Sequence, residues 1–297
     1  MVYIDATDET IDGIVKRICA PLFCNDRFLF DGHDESTTSA TVTFISSESH
    51  VYAVTCHHVL SAFYTVAVKT GRHLVPSIHS GRSINQLGFA GPNGQYRWSF
   101  QSCREFPDAR EVNDPMAMAA LDRKNADKPD IAIADFTEIW PAFSQIRGAD
   151  AIDLDSWREP EWQTTQNVWM AYGFPDDHKY RKGDKVAAPM PGVSAELASA
   201  PSSEKPTYML CSTLNANHGW GFSGLSGGPV FVAHTDDRYA FVGITFEGAP
   251  SSKVLQENAE AFVGKKDILL MGYHVTPLLF REWLGQRRYG VEFTEPS

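Results

Sequence analysis

The chain has 297 residues, with 26 Lys and Arg against 37 Asp and Glu for a net charge of −11, and 43% of its residues are apolar. A chain of this length buries roughly 75% of its unfolded surface, enough for one large or two medium domains without disulfide or metal staples. The acidic balance speaks against nucleic acid as a partner, because affinity for a phosphate backbone comes mainly from Lys and Arg. Five cysteines, Cys19, Cys24, Cys56, Cys103 and Cys211, form an odd set with no pair at metal-ligand spacing. Neither a zinc site nor a disulfide framework is predicted, and a reducing compartment fits. Met1 to Ala20 carries acids where an export signal needs a basic start, so the reading is of a cytoplasmic protein. Apolar runs are broken by charge or Pro well before about 18 residues, so no membrane span is predicted.

In chain order, Thr7 to Cys19 places Ile11, Ile14, Val15 and Ile18 at helical spacing behind an acidic first turn, and Pro21 follows. From Ser39 the pattern turns to short β-rich runs: Thr41–Ile45, Val51–Thr55, Tyr64–Val68, Ile131–Ala134, Val168–Tyr172, Tyr208–Ser212, Val230–Ala233 and Tyr239–Thr245. Clusters of Gly, Pro, Asn, Asp and Ser separate them, as in an antiparallel barrel or sandwich. Gly81–Gly94, Arg104–Ala126 and Gly183–Pro206 read as loops or insertions. Thr276-Pro277 before Leu278, Leu279, Phe280, Trp283 and Leu284 predicts a closing helix with Thr276 as N-cap. Helix is predicted at the two ends only. The layout is two β-barrels joined by Glu138–Trp162: residues 1–35 a helical extension, 36–145 the first barrel, 146–297 the second barrel with the last helix.

Three segments carry chemistry. Gly224-Leu225-Ser226-Gly227-Gly228-Pro229 surrounds a serine with glycines, which permits a tight turn that exposes the hydroxyl and turns amide hydrogens into one space. Thr55-Cys56-His57-His58-Val59 ends one β-run, and Asp130-Ile131-Ala132 opens another. A serine hydroxyl needs a neighbouring base, and an imidazole needs a carboxylate to fix its tautomer and stabilise its charged form. His, Asp and Ser in this chain order supply those three functions. Asp127 and Asp135 are the rival carboxylates, one lacking the Ile-Ala signature and the other at its far end.

These three segments together resemble the motifs of the chymotrypsin-like (trypsin-fold) serine proteases, in particular bacterial non-zymogen members, over roughly Ser39 to Gly248. The resemblance implies an all-β fold of two antiparallel six-stranded barrels, with this chain's helices at either end, and a serine endopeptidase acting on a protein or peptide substrate. It makes His58 the base, with His57 in the place of the small residue before it, Asp130 the orienting acid and Ser226 the nucleophile. The amides of Gly224 and Ser226 become the oxyanion hole. Val242 to Gly248 resembles the strand that lines the primary pocket and pairs with substrate, which assigns Phe246, Glu247 and Gly248 to substrate binding; Trp220 falls at the pocket base, where trypsins carry Asp. No metal or organic cofactor is implied.

Departures from the family pattern also carry meaning. Leu225 replaces the Asp that pairs with a newly cut N-terminal amine in zymogen-activated members, so that switch is excluded and control by an effector or regulatory partner protein is expected. Val59 and Phe222 occupy places where secreted relatives carry bridging cysteines, which leaves Cys56 as a small buried residue. The His58–Asp130 separation implies an insertion within Gly71–Ala126. Two other readings compete. One is an inactive module of the same fold that binds peptides. The other is an α/β-hydrolase, whose elbow needs a helix directly after Ser226 and a later acid and base, for which only Asp267 and His274 are placed; Gly227 to Val232 reads as strand instead.

Overall fold

The computed structural model describes residues 1–6, 9–26, 39–71, 74–78, 90–91, 94–95, 99–160, 168–175, 180–182, 185–202, 204–213, 222–235, 238–249 and 267–290. The C-terminal sheet runs in the order β1 (Val2–Asp5), β17 (Arg238–Ala249), β16 (Pro229–Thr235), β11 (Trp169–Tyr172), β14 (Gly192–Ser199), β15 (Thr207–Thr213) and β18 (Asp267–His274). A further pairing of β17 with β18 closes six of these strands into a barrel, and β1 pairs with the first part of β17, ahead of the stretch that meets β18. The long strand β17 makes this closure by serving two partners in turn: Arg238 to Ile244 pairs with β16, and Gly243 to Ala249 with β18. All pairings in the barrel are antiparallel.

The N-terminal sheet runs β19 (Tyr289–Gly290), β8 (Phe100–Ser102), β9 (Ala132–Asp135), β4 (His50–Thr55), β3 (Ser39–Ser47), β2 (Cys19–Asp26) and β5 (Leu74–Ile78). A short β10 (Ile152–Asp153) lies parallel to β3, and two small hairpins stand apart, β6 (Ala90–Gly91) with β7 (Gly94–Gln95) and β12 (Tyr180–Lys182) with β13 (Lys185–Ala187). The β3–β4 turn puts Glu48 and Ser49 at positive φ, 51° and 66°, a conformation that costs non-glycine residues energy. Asp155 offsets that cost by accepting the Glu48 amide on both carboxylate oxygens, at 3.1 and 3.0 Å.

The chain's two ends cross between the units. Residues 1–35 supply more than a helix, because β1 joins the C-terminal sheet and β2 the N-terminal one. The predicted first helix is α1 (Ile11–Ile18), capped by Thr10 and burying Ile11, Ile14, Val15 and Ile18; the last is α5 (Pro277–Gln286), with Thr276 Oγ1 accepting the Leu279 amide at 3.1 Å. Between the two sheets lies a core that includes Ile18, Ile45, Val54, Ile133, Phe231, Phe241, Tyr273, Phe280 and Trp283. Strand alternation supplies it: Ile45 and Phe231 face this layer, while their neighbours Phe44 and Val230 face the interiors of their own sheets.

Three helices contradict the expectation that helix is confined to the ends. Tyr64–Val68, read as strand, is the second half of α2 (His57–Thr70), which closes on Gly71 at φ 62°. Its alternating appearance hides a stripe of Val59, Leu60, Phe63 and Ala67 that packs on the N-terminal sheet at helical spacing. Within Arg104–Ala126, read as loop, α3 (Pro115–Asn125) starts at Asp114, whose carboxylate accepts the Met116 amide at 2.8 Å. The joining segment holds α4 (Trp140–Arg147), anchored by Phe143 against Phe44 and Phe136. Gly183–Pro206 contributes β13 and β14, the latter a barrel strand. Among the described residues no helix is long and apolar enough to cross a membrane.

Trp283 is 1% exposed and packs edge-on against Tyr273 and near Phe280. Trp283→Ala should cost about 3–5 kcal/mol in equilibrium urea unfolding, as large buried aromatics do when truncated. A loss below about 1 kcal/mol would show that α5 does not brace the interface core.

Candidate active site

His58, Asp130 and Ser226 come from three separate segments of the chain and meet in space. His58 is the second residue of α2, Asp130 lies two residues before β9, and Ser226 lies in the turn before β16. The first four amides of a helix have no partner within it. Cys56, the N-cap of α2, supplies no side-chain bond, and the Asp130 carboxylate does so instead: Oδ1 accepts the His58 amide at 2.9 Å. The other oxygen, Oδ2, lies 2.7 Å from His58 Nδ1. A carboxylate that is ionised only accepts, so Nδ1 carries the proton and Nε2 is left as acceptor. Nε2 stands 3.0 Å from Ser226 Oγ, whose other acceptor in reach is the Phe246 carbonyl at 3.3 Å.

Burial alone would raise the Asp130 pKa, but the hydrogen bonds and charge of His58, with the charge of Arg104, hold it below the usual carboxylate value. Arg104 Nη1 is 3.8 Å from Asp130 Oδ1, and its Nε donates to the Lys128 carbonyl at 2.8 Å. The insertion between His58 and Asp130 delivers this arginine: Asn125 and Glu105 bind each other reciprocally at 3.0 and 2.9 Å and close the loop that bears α3. His57, the neighbouring histidine, is 6% exposed and points elsewhere, with Nδ1 2.7 Å from Ser102 Oγ. Burial lowers its pKa to about 4, reinforced by Arg104, His58 and Lys128 against the opposing pull of Asp130. The rival acids Asp127 and Asp135 are exposed, and Asp135 accepts the Thr137 amide.

The serine turn is held by its carbonyls. Thr41 Oγ1 donates to Gly224 O at 2.7 Å, the Thr41 amide donates to Ser226 O at 3.1 Å, and Thr43 Oγ1 donates to Gly227 O at 2.7 Å. Thr55 Oγ1 in turn donates to Thr41 O at 2.8 Å, and Thr41 Oγ1 accepts the Phe174 amide at 2.9 Å. Gly227 has φ 89°, and a Cβ there would run into Thr41 O and Thr55 Oγ1, so only glycine fits. With the carbonyls turned toward β3, the Gly224 and Ser226 amides have no protein acceptor among the described residues. Leu225 is fully buried in the barrel core. Cys56 is also fully buried, with its thiol donating to the Thr245 carbonyl at 3.5 Å.

A cleft of about 640 Å³ opens over this arrangement and is lined by His58, Ser226, Phe246, Glu247, Gly248 and Arg104, among others. The β16 ladder ends at Ile244, and the barrel bulges at Phe246 in its pairing with β18. Residues 246–248 therefore present a strand edge beside Ser226 that no described strand occupies. Trp220 lies outside the described residues. After Ser226 comes strand β16, not the helix that a hydrolase elbow requires. Among the described residues no group of three or more His, Cys, Asp or Glu is placed to hold a metal ion. Arg104, Tyr273, Thr41 and Thr43 also belong to the site and carry no motif of their own, because their partners lie on the other sheet or across the insertion.

No protein-family model matches the chain, and no curated protein matches it. It is similar to the crystal structure of a thermostable serine protease, AL20, from an extremophilic microorganism, with 12% identity and a TM-score of 0.40 over 92% of this chain and 97% of that one. It is similar also to the protease Anisep from Arthrobacter nicotinovorans, with 11% identity and a TM-score of 0.40 over 92% and 97% of the two chains. Both likenesses are remote, and the chemistry of the site rests on its own side chains.

His57 gives a pH test. Its folded pKa of about 4 lies below the ordinary value of 6.5, so the unfolded chain binds the extra proton between those values. Stability is then full above pH 6.5 and falls toward pH 4, by on the order of 3 kcal/mol from this group. Asp130, with its lowered pKa, acts in a more acidic window, below the usual carboxylate value. Thermal melts of His57→Asn between pH 7 and 4.5 should decline less steeply than those of wild type; parallel declines would remove His57 as the cause.

Proposed function

We propose that this chain is a serine endopeptidase that cleaves a protein or peptide substrate through an acyl-enzyme. The observation that carries the reading is the unbroken line from Asp130 Oδ2 to His58 Nδ1 at 2.7 Å and from His58 Nε2 to Ser226 Oγ at 3.0 Å. Ser226 Oγ attacks the scissile carbonyl as His58 Nε2 takes its proton, and Asp130 stabilises the imidazolium that results. The same proton then passes to the leaving amine, and water repeats the sequence to release the acyl group. The free amides of Gly224 and Ser226 receive the oxyanion, an interaction whose loss costs about 3 kcal/mol of transition-state stabilisation in such sites.

The open edge at Phe246, Glu247 and Gly248 supports an extended peptide as substrate, bound by strand addition beside the nucleophile. Since the line is made of residues of this chain alone, control by an effector or partner protein would act on access to the cleft. The net charge of −11 would favour approach of basic target segments by steering.

A fluorophosphonate probe should label wild-type protein at Ser226 and leave Ser226→Ala unlabelled. That variant should lose all peptide cleavage while its melting temperature stays within a few degrees of wild type. Retained cleavage by Ser226→Ala would sink the assignment, and an unlabelled wild type would favour an inactive peptide-binding module. Cleavage of a peptide library, with the new termini mapped, separates an endopeptidase from an enzyme confined to small esters.

A further inference from the structure

The structure points to Tyr273, through its hydroxyl on the Asp130 amide, as a positioning residue for the proton relay. This rests on the endopeptidase reading above and adds a residue to it. Asp130 and Ile131 precede β9 and so have no ladder bonds of their own. What fixes them is a set of isolated bonds: Ile131 O accepts the Cys103 amide at 3.1 Å and Ser102 Oγ at 3.2 Å, and the Asp130 amide donates to Tyr273 Oη at 2.9 Å. The last of these is buried, and it joins the two sheets, since Asp130 stands at the head of a strand of one and Tyr273 in β18 of the other.

The position of the Asp130 backbone matters because each of its carboxylate oxygens hydrogen-bonds the same residue, His58. A displacement of the Asp130 Cα moves the imidazole off Ser226, and misplacement of a reacting group by about 1 Å costs up to a hundredfold in rate. Tyr273 is itself held firmly. Its ring lies 4.6 Å from that of Phe246 in the cleft wall and 5.4 Å from that of Trp283 in α5, and it is 9% exposed. The phenol stays protonated across the working range, because burial pushes its pKa up to about 12. It therefore offers the amide a neutral acceptor and adds no charge beside the carboxylate. Phenylalanine at this position keeps both ring contacts and removes only the oxygen.

The test is Tyr273→Phe, with turnover normalised to the number of sites titrated by a fluorophosphonate, so that a change in folded fraction does not enter. The expected result is a fall in kcat of about tenfold with KM within about twofold. Amide exchange of the wild type supplies a measurement that needs no variant: the Asp130 amide should be protected although it lies outside any strand ladder. A labelled wild type with equal kcat per site in Tyr273→Phe, or an Asp130 amide that exchanges as fast as exposed loop amides, overturns the inference alone. If wild-type Ser226 takes no label, the endopeptidase reading fails and the role of Tyr273 fails with it.

Discussion

The site depends on a carboxylate held almost out of water. Asp130 has a side chain only 10% exposed, and a charge in that position is stable only if the surroundings replace its hydration. Here they do so with groups that also build the candidate site. The His58 amide at the N-terminal end of α2 gives one bond and the positive end of the helix dipole, and His58 Nδ1 gives the other. Arg104 adds charge from the insertion loop. One residue thus fixes the start of a helix, the tautomer of its imidazole and the direction in which the remaining nitrogen faces, so helix α2 and the candidate base are positioned by the same two bonds.

The serine turn meets a different constraint. A turn with two glycines at positive φ, Gly224 at 99° and Gly227 at 89°, is entropically costly to hold, and Leu225 offers no charge to anchor it. The barrel core takes Leu225, and β3 of the opposite sheet takes three of the turn's carbonyls through Thr41 and Thr43. The turn is thereby set by neutral hydrogen bonds between the two sheets. Such bonds carry no titrating group, in contrast to an ion pair with a chain terminus.

The three chemical segments were legible because each carries its own local cue: a glycine-flanked serine, a histidine after a β-run and an aspartate before one. His58, Asp130 and Ser226 are brought together as the motifs implied, and His57 turns away into a buried bond with Ser102. The helices between were hidden for reasons of composition. Tyr64 to Val68 is rich in β-branched and aromatic residues, yet the stripe from Val59 to Ala67 decides its structure by packing. Asp114-Pro115 was a helix start that the charged, small-residue run behind it obscured. Thr41, Thr43, Arg104 and Tyr273 were not legible as site residues at all, because their partners lie on the other sheet or across an insertion. No spacing along the chain encodes such a contact.

The most direct measurement is intact-mass analysis of protein quenched in acid during turnover of a peptide or activated ester. The account predicts an acyl adduct on Ser226 in the wild type and none in His58→Ala under the same conditions. Turnover by the wild type without any adduct, or an adduct on a residue other than Ser226, would contradict it.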